Sequence, residues 1–163
     1  MTSRQPCGVR ILGTGSAIPD IVIGNVELAE RFGVDVEWIE QRTGILERRY
    51  CREDEGTFEL QTLALQKALE NASIKGSDLS LLICASVTSE MTCPSNACRV
   101  ALEVGATPAG AFDLVAACSG FVYAMNVADS LIRGGSYDTI AVIGCDAMSK
   151  LTDQNERSMS ILF

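Results

Sequence analysis

The chain has 163 residues, 47% of them hydrophobic and 21% charged, with a formal net charge of -8. That composition belongs to a folded chain and excludes a disordered one. The excess of acid argues against DNA, RNA or an anionic membrane as a partner for the surface as a whole, while leaving room for a local basic pocket that holds phosphates.

Taken in chain order, residues 9–12 (VRIL) ahead of GTGS predict a strand running into a glycine turn. Asn25 caps a short helix to about Phe32, and Asp35 caps another that carries Trp38 and Ile39. Thr57 opens a longer helix, FELQTLALQKALENA, with Leu60, Leu63, Ala64, Leu65, Ala68 and Leu69 near helical spacing. Residues 81–85 (LLICA) form a buried type of strand. Pro94 and Ser95 start a helix to about Val104, and Gly105 stops it. Residues 111–117 are a strand, 119–133 a helix closed by Gly134 and Gly135, and 139–143 another strand. Strands alternating with helices predict an α/β fold with a largely parallel sheet, as one domain over 1–163.

Residues 1–10, MTSRQPCGVR, hold no apolar core of the signal-peptide kind, and no apolar run has the length of a bilayer span. Seven cysteines are an odd count without paired spacing, which predicts free thiols in a reducing cytoplasm. Cys93 and Cys98 lie close in sequence, but the chain contains no histidine, so no metal site is expected.

Cys118 sits where the apolar run 111–117 meets the next helix. That helix carries Phe121, Val122, Ala124, Met125, Val127, Ala128, Leu131 and Ile132, apolar residues on most of its faces, which predicts burial between layers. The strand before it reads as covered on both faces. Cys118 is therefore expected deep in the molecule, at the N-terminus of a buried helix. A helix N-terminus carries about half a positive charge and unpaired N–H groups, both of which favour thiolate over thiol. Ala116, Ala117, Ser119 and Gly120 leave room for a carbonyl to approach, and the backbone N–H groups suit the oxyanion of a tetrahedral intermediate. On the residues alone, the position serves either an acyl-accepting nucleophile or a small core cysteine. Cys84 lies inside an apolar strand, and Cys7, Cys51, Cys98 and Cys145 have no comparable setting.

The segment AFDLVAACSGFVYAMNVADSLI resembles the nucleophile segment of β-ketoacyl-acyl-carrier-protein synthase III, a member of the thiolase-like superfamily. ILGTGSAIPD resembles that family's opening strand and turn, WIEQRTGILERR its W-I-x-x-R-T-G-I block, and CPSNAC its P-S-x-A-C helix start. DQNERSMSILF resembles its D-x-x-x-R segment with the strand that follows. The blocks come in the family's order over nearly the whole chain, and the W-I-x-x-R-T-G-I block favours this branch over thiolases and elongating synthases. The resemblance implies the N-terminal half of a thiolase-like fold: a mixed, mainly parallel sheet with helices on both faces and a buried helix after the nucleophile.

It also implies roles. Cys118 corresponds to the acyl-enzyme cysteine, Trp38 to the tryptophan that stacks on the adenine of coenzyme A, and Arg42 and Arg157 to the arginines that hold that nucleotide. Stacked aromatic and guanidinium planes suit a purine, and the positive charges suit phosphates. Without the resemblance Trp38 reads as a half-buried core anchor and the arginines as solvated charges; Glu47, Arg48 and Arg49 read as a solvated strand face. Cys93 departs from the family, which often has a bulky residue there that closes the partner subunit's acyl pocket. Met148 resembles another pocket-lining position, where a thioether suits an acyl chain, or else belongs to the core.

Family members run to roughly twice this length and pair the cysteine with a histidine and an asparagine from the second half. The expectation is thus an N-terminal half ending inside a strand at Ile161–Phe163: a proteolytic product, a shortened chain, or one subunit of a split enzyme. The implied activity is a condensing acyltransferase that starts fatty acid synthesis from acyl-coenzyme A, a substrate and not a cofactor, and malonyl-acyl-carrier-protein. The implied assembly is a homodimer, with a second chain carrying the other half if the enzyme is split. The alternatives are a related condensing enzyme with a longer primer or a secondary-metabolite product, and a silent half that binds acyl-coenzyme A or dimerises.

Overall fold

A computed structural model describes residues 8–163; the expectation for Cys7 falls outside them. In chain order the elements are strand β1 (Ile21–Gly24), helices α1 (Asn25–Phe32) and α2 (Val36–Thr43), strand β2 (Glu47–Tyr50), helix α3 (Thr57–Ala72), strand β3 (Leu81–Ala85), helix α4 (Asn96–Glu103), strand β4 (Gly110–Leu114), helix α5 (Gly120–Arg133), strand β5 (Ile140–Gly144), and the short helices α6 (Met148–Leu151) and α7 (Arg157–Ser160). Among the described residues no helix is long and apolar enough to cross a membrane. The described residues fall into two compact units, one of 8–17 with 57–146, the other of 18–56 with 147–163.

The first unit is built on a parallel sheet in the order β4-β3-β5. β3 is central and every residue of it is buried. Its alternation serves two cores. Leu82 and Cys84 point to one face, where Leu65 and Leu69 of α3 and Val100 and Ala101 of α4 cover them. Leu81, Ile83 and Ala85 point to the other, where Ala124 and Ala128 of α5 cover them. The chain crosses from β3 outward to β4, then back past β3 to β5. Right-handed crossovers in opposite directions place their helices on opposite faces, as α4 and α5 are placed.

Three expectations for this unit need correction. Residues 9–12 form no strand: they lie outside any helix or strand and are exposed, Ile11 among them. The glycine turn after them has a different use, close approach. A Cβ on Gly13 or Gly15 would stand 2.6 or 2.3 Å from the carbonyl oxygen of Ala68 or Ala64, and the contact is fixed by Thr14 N–H to Asn71 Oδ1 at 3.0 Å and Lys67 Nζ to the Ser16 carbonyl at 2.9 Å. Strand β4 ends at Leu114, not at 117, and lies at one edge of the described sheet with Phe112 exposed. Helix α5 is not buried between layers: Gly120, Ala124 and Ala128 are its buried residues, whereas Phe121, Val122, Tyr123 and Met125 are exposed.

The second unit pairs β1 with β2 antiparallel, from Ile21 opposite Tyr50 to Gly24 opposite Glu47. Its core joins Leu28 and Ala29 of α1, Ile39 of α2 and Ile161, with Trp38 packed against them. Gly24, not Asn25, is the N-cap of α1, and Asn25 is buried, donating from Nδ2 to the Ile45 carbonyl at 2.8 Å. Asp35 does precede α2, but makes no side-chain cap bond. Arg48 is not on a solvated face: it is buried, because its guanidinium donates to Asn25 Oδ1 and to the Ile161 carbonyl. Residues 161 and 162 form a turn following α7, and residues 161–163 contain no strand.

Candidate active site

The carboxyl ends of parallel strands leave a crevice where the strand order reverses, because successive loops there part to opposite sides of the sheet. In this sheet the reversal flanks β3. A cleft of about 200 Å³ lies there, lined by Ala85 at the end of β3, Gly144, Cys145 and Asp146 at the end of β5, Ala117 and Cys118 after β4, and Phe121.

Cys118 occupies the middle of a one-turn 3-10 segment, Ala117–Ser119, that leads into α5. It is exposed to the cleft, not buried as the apolar surroundings had predicted. The reason is the corrected geometry: the strand stops early, and the chain turns out of the sheet before the helix begins. Ala117 takes a φ of 46°, a left-handed conformation that costs an L-residue about 1–2 kcal/mol. Strain of that kind persists where the surrounding structure over-determines it, often beside reacting groups. Ser119 gives α5 no side-chain cap and its first turn holds no acidic residue, so the partial positive charge of that turn is not offset from within the helix.

Asp146, by contrast, is a cleft residue that the sequence does not single out. Asp146 Oδ1 accepts from the amide of Val87 at 2.8 Å and from Ser86 Oγ at 3.1 Å, joining the loops after β3 and β5. The one signal for it was position, directly after a buried strand. Cys84 is the opposite of Cys118. Burial pushes its thiol far above the usual range, and Asp113, Cys145 and Cys98 add to the shift.

Cys93 is exposed, on the turn before α4, and is not among the residues lining this cleft. The helix after it is well anchored: Ser95 Oγ accepts the amide of Cys98 at 3.3 Å, as the Pro-Ser pair predicted. Asn96 Nδ2 donates to Glu90 at 2.6 Å. Met148 begins α6 in the other unit, partly buried, its carbonyl accepting from Thr152 Oγ1 at 3.0 Å.

The second unit gathers the three residues expected at a nucleotide. The guanidinium carbons of Arg42 and Arg157 each lie 5.8 Å from the centroid of the half-buried Trp38 ring, within cation–π range. Arg42 arrives from the same helix, and Arg157 from α7.

The model for 3-oxoacyl-acyl-carrier-protein synthase III matches residues 112–163. A β-ketoacyl-acyl-carrier-protein synthase III of Vibrio parahaemolyticus is 46% identical over 154 residues, which is 94% of this chain and 49% of that protein. The crystal structure of 3-oxoacyl-acyl-carrier-protein synthase III from Aquifex aeolicus superposes with a TM-score of 0.92 at 40% identity, over 96% of this chain and 50% of that one. The chain belongs to the β-ketoacyl-acyl-carrier-protein synthase III family. It spans about half the length of the curated relatives it matches. The fold is accordingly thiolase-like. The priming β-ketosynthase of the R1128 polyketide biosynthetic pathway is also similar, with a TM-score of 0.90 at 34% identity over 94% of this chain and 46% of that one.

Proposed function

We propose that this synthase III chain carries the acyl-accepting half of a condensing acyltransferase that starts fatty acid synthesis. The observation that carries the reading is Cys118, exposed in the cleft at the carboxyl ends of β3 and β5 on a turn that holds Ala117 at positive φ. The Cys118 thiolate attacks the carbonyl of acyl-coenzyme A. The oxyanion that forms is met by backbone N–H groups at the start of α5, and the intermediate collapses by expelling the coenzyme A thiolate. Trp38, Arg42 and Arg157 hold the nucleotide of that substrate, with aromatic and guanidinium planes against the base.

Condensation follows when malonyl-acyl-carrier-protein loses carbon dioxide. The electron pair of the broken C–C bond becomes an enolate, which attacks the Cys118 thioester and releases the thiolate with a 3-ketoacyl product. An enolate needs donors aimed at its oxygen. The family uses a histidine and an asparagine, and this chain has no histidine. Those donors therefore come from outside the 163 residues, and we assign to this chain the first stage alone. The test is an intact-mass spectrum after exposure to acetyl-coenzyme A. One added acetyl group that disappears in Cys118→Ala supports the reading; an unmodified chain, or one still acetylated in Cys118→Ala, refutes it.

A second reading is a condensing enzyme with a longer primer. It draws on Cys93, small and exposed where the family often has a bulky residue, and on the likeness to a polyketide priming synthase. Competing acetyl- and octanoyl-coenzyme A in the same mass assay separates the two.

A further inference from the structure

Arg48 is the only charged side chain among the described residues to be buried, at 5% exposure. Its two Nη atoms donate to Asn25 Oδ1 and to the Ile161 carbonyl, oxygens that carry no full charge, and its Nε has no hydrogen-bond partner. Burial draws its pKa down, but a guanidinium keeps its proton under working conditions. A hydrocarbon of similar volume would fill the position without that desolvation cost. What the guanidinium supplies is reach, from β2 to the end of α7.

The reach ends at a telling place. The amide of Ile161 bonds back to the Arg157 carbonyl at 3.1 Å, and the Ile161 side chain is buried in the core against which Trp38 packs. At the other end of α7, Glu156 caps the amides of Ser158 at 3.2 Å and Met159 at 2.8 Å. A four-residue helix cannot hold itself in water. It is held at its start by Glu156 and at its end by Arg48, and Arg157 stands over Trp38 from between them.

We propose that Arg48 is a positioning residue for the coenzyme A nucleotide: its grip on the Ile161 carbonyl fixes α7 and so keeps Arg157 over the Trp38 ring. This rests on the reading that Trp38 and Arg157 bracket the adenine. Trp38 is the only tryptophan in the chain, so its emission reports the site directly. The experiment titrates coenzyme A into the full 163-residue chain carrying Arg157→Gln, Arg48→Lys, both or neither, with circular dichroism and a urea midpoint for each. Arg48→Lys keeps the charge but loses the forked reach. Each single change should weaken binding by roughly five- to tenfold, and the double change should be within about twofold of the weaker single, because both act through one contact. Independent losses that multiply, or unchanged affinity in a folded Arg48→Lys chain, overturn the proposal. If Arg48→Lys does not fold, Arg48→Met, which removes the buried charge with the tether, goes through the same cycle and is read in the same way. No response of the wild-type chain to coenzyme A, or unchanged affinity in Arg157→Gln, overturns the nucleotide reading itself, and needs no Arg48 variant to be seen.

Discussion

The carboxylate of Asp113 on β4 accepts the amide of Ala97 at 2.8 Å through one oxygen and that of Asn96 at 3.0 Å through the other, so an edge strand anchors the first turn of a helix on the sheet's face. Two helix amides without a residual partner carry the cost of a lost cap, typically about 1–2 kcal/mol. Asp113→Ala should lower unfolding stability by that amount in a urea melt. It should also speed labelling of Cys93, which sits just before the same helix, as read by peptide mass after a short alkylation pulse.

Ala117 pays for a left-handed φ, so Ala117→Gly should stabilise the chain by about 0.5–1 kcal/mol in the same melt. The looser turn should at the same time slow acetyl transfer to Cys118. Equal or faster transfer would mean that the strained turn has no part in presenting the thiol.

Glu90 accepts from the Phe58 amide at 3.1 Å as well as from Asn96. Burial alone would raise its carboxyl, but the bonds from Asn96 and the backbone outweigh it and hold the group below its ordinary value. A depressed folded-state pKa contributes stability that is present above the unfolded value of about 4.3 and is lost as pH falls through the folded one. Glu90→Gln should therefore lose stability at neutral pH, and its melting temperature should fall less steeply than that of the wild type as pH drops below about 4.5.

The thiols should sort by position. Iodoacetamide should modify Cys118 in the native chain and leave Cys84 untouched until denaturant is added, because Cys84 is fully buried and its proton is held tightly. Labelling of Cys84 on the same timescale as Cys118 would contradict the packing of β3.

What could be read from the sequence was the part governed by local pattern. LLICA matched β3 residue for residue, since an apolar run too short for a helix suits a strand covered on both sides. The bounds of α3 and the exit of α5 at Arg133 followed from spacing and from the glycines beyond. What failed depended on distant partners. Residues 9–12 look like a strand, but a ladder needs a neighbour, and they have none: the chain first meets α3 at Gly13. The apolar faces of α5 do not announce which of them is covered. Arg48 looks solvated by residue type, and only its partners Asn25 and Ile161, 23 and 113 positions away, show otherwise. For the candidate site, Cys118 was legible as a junction between strand and helix, its exposure was not, and Asp146 was missed because its partners belong to another loop.

Gly144 sets a limit on how the cleft can change. A Cβ there would stand 2.8 Å from the Cβ of Phe121, so that stretch of wall is bare backbone pressed against a ring. Substitution at such a point disturbs the sheet before it can reshape the cleft. The cleft can therefore be reshaped without disturbing the sheet only through side chains that are not wedged against β5.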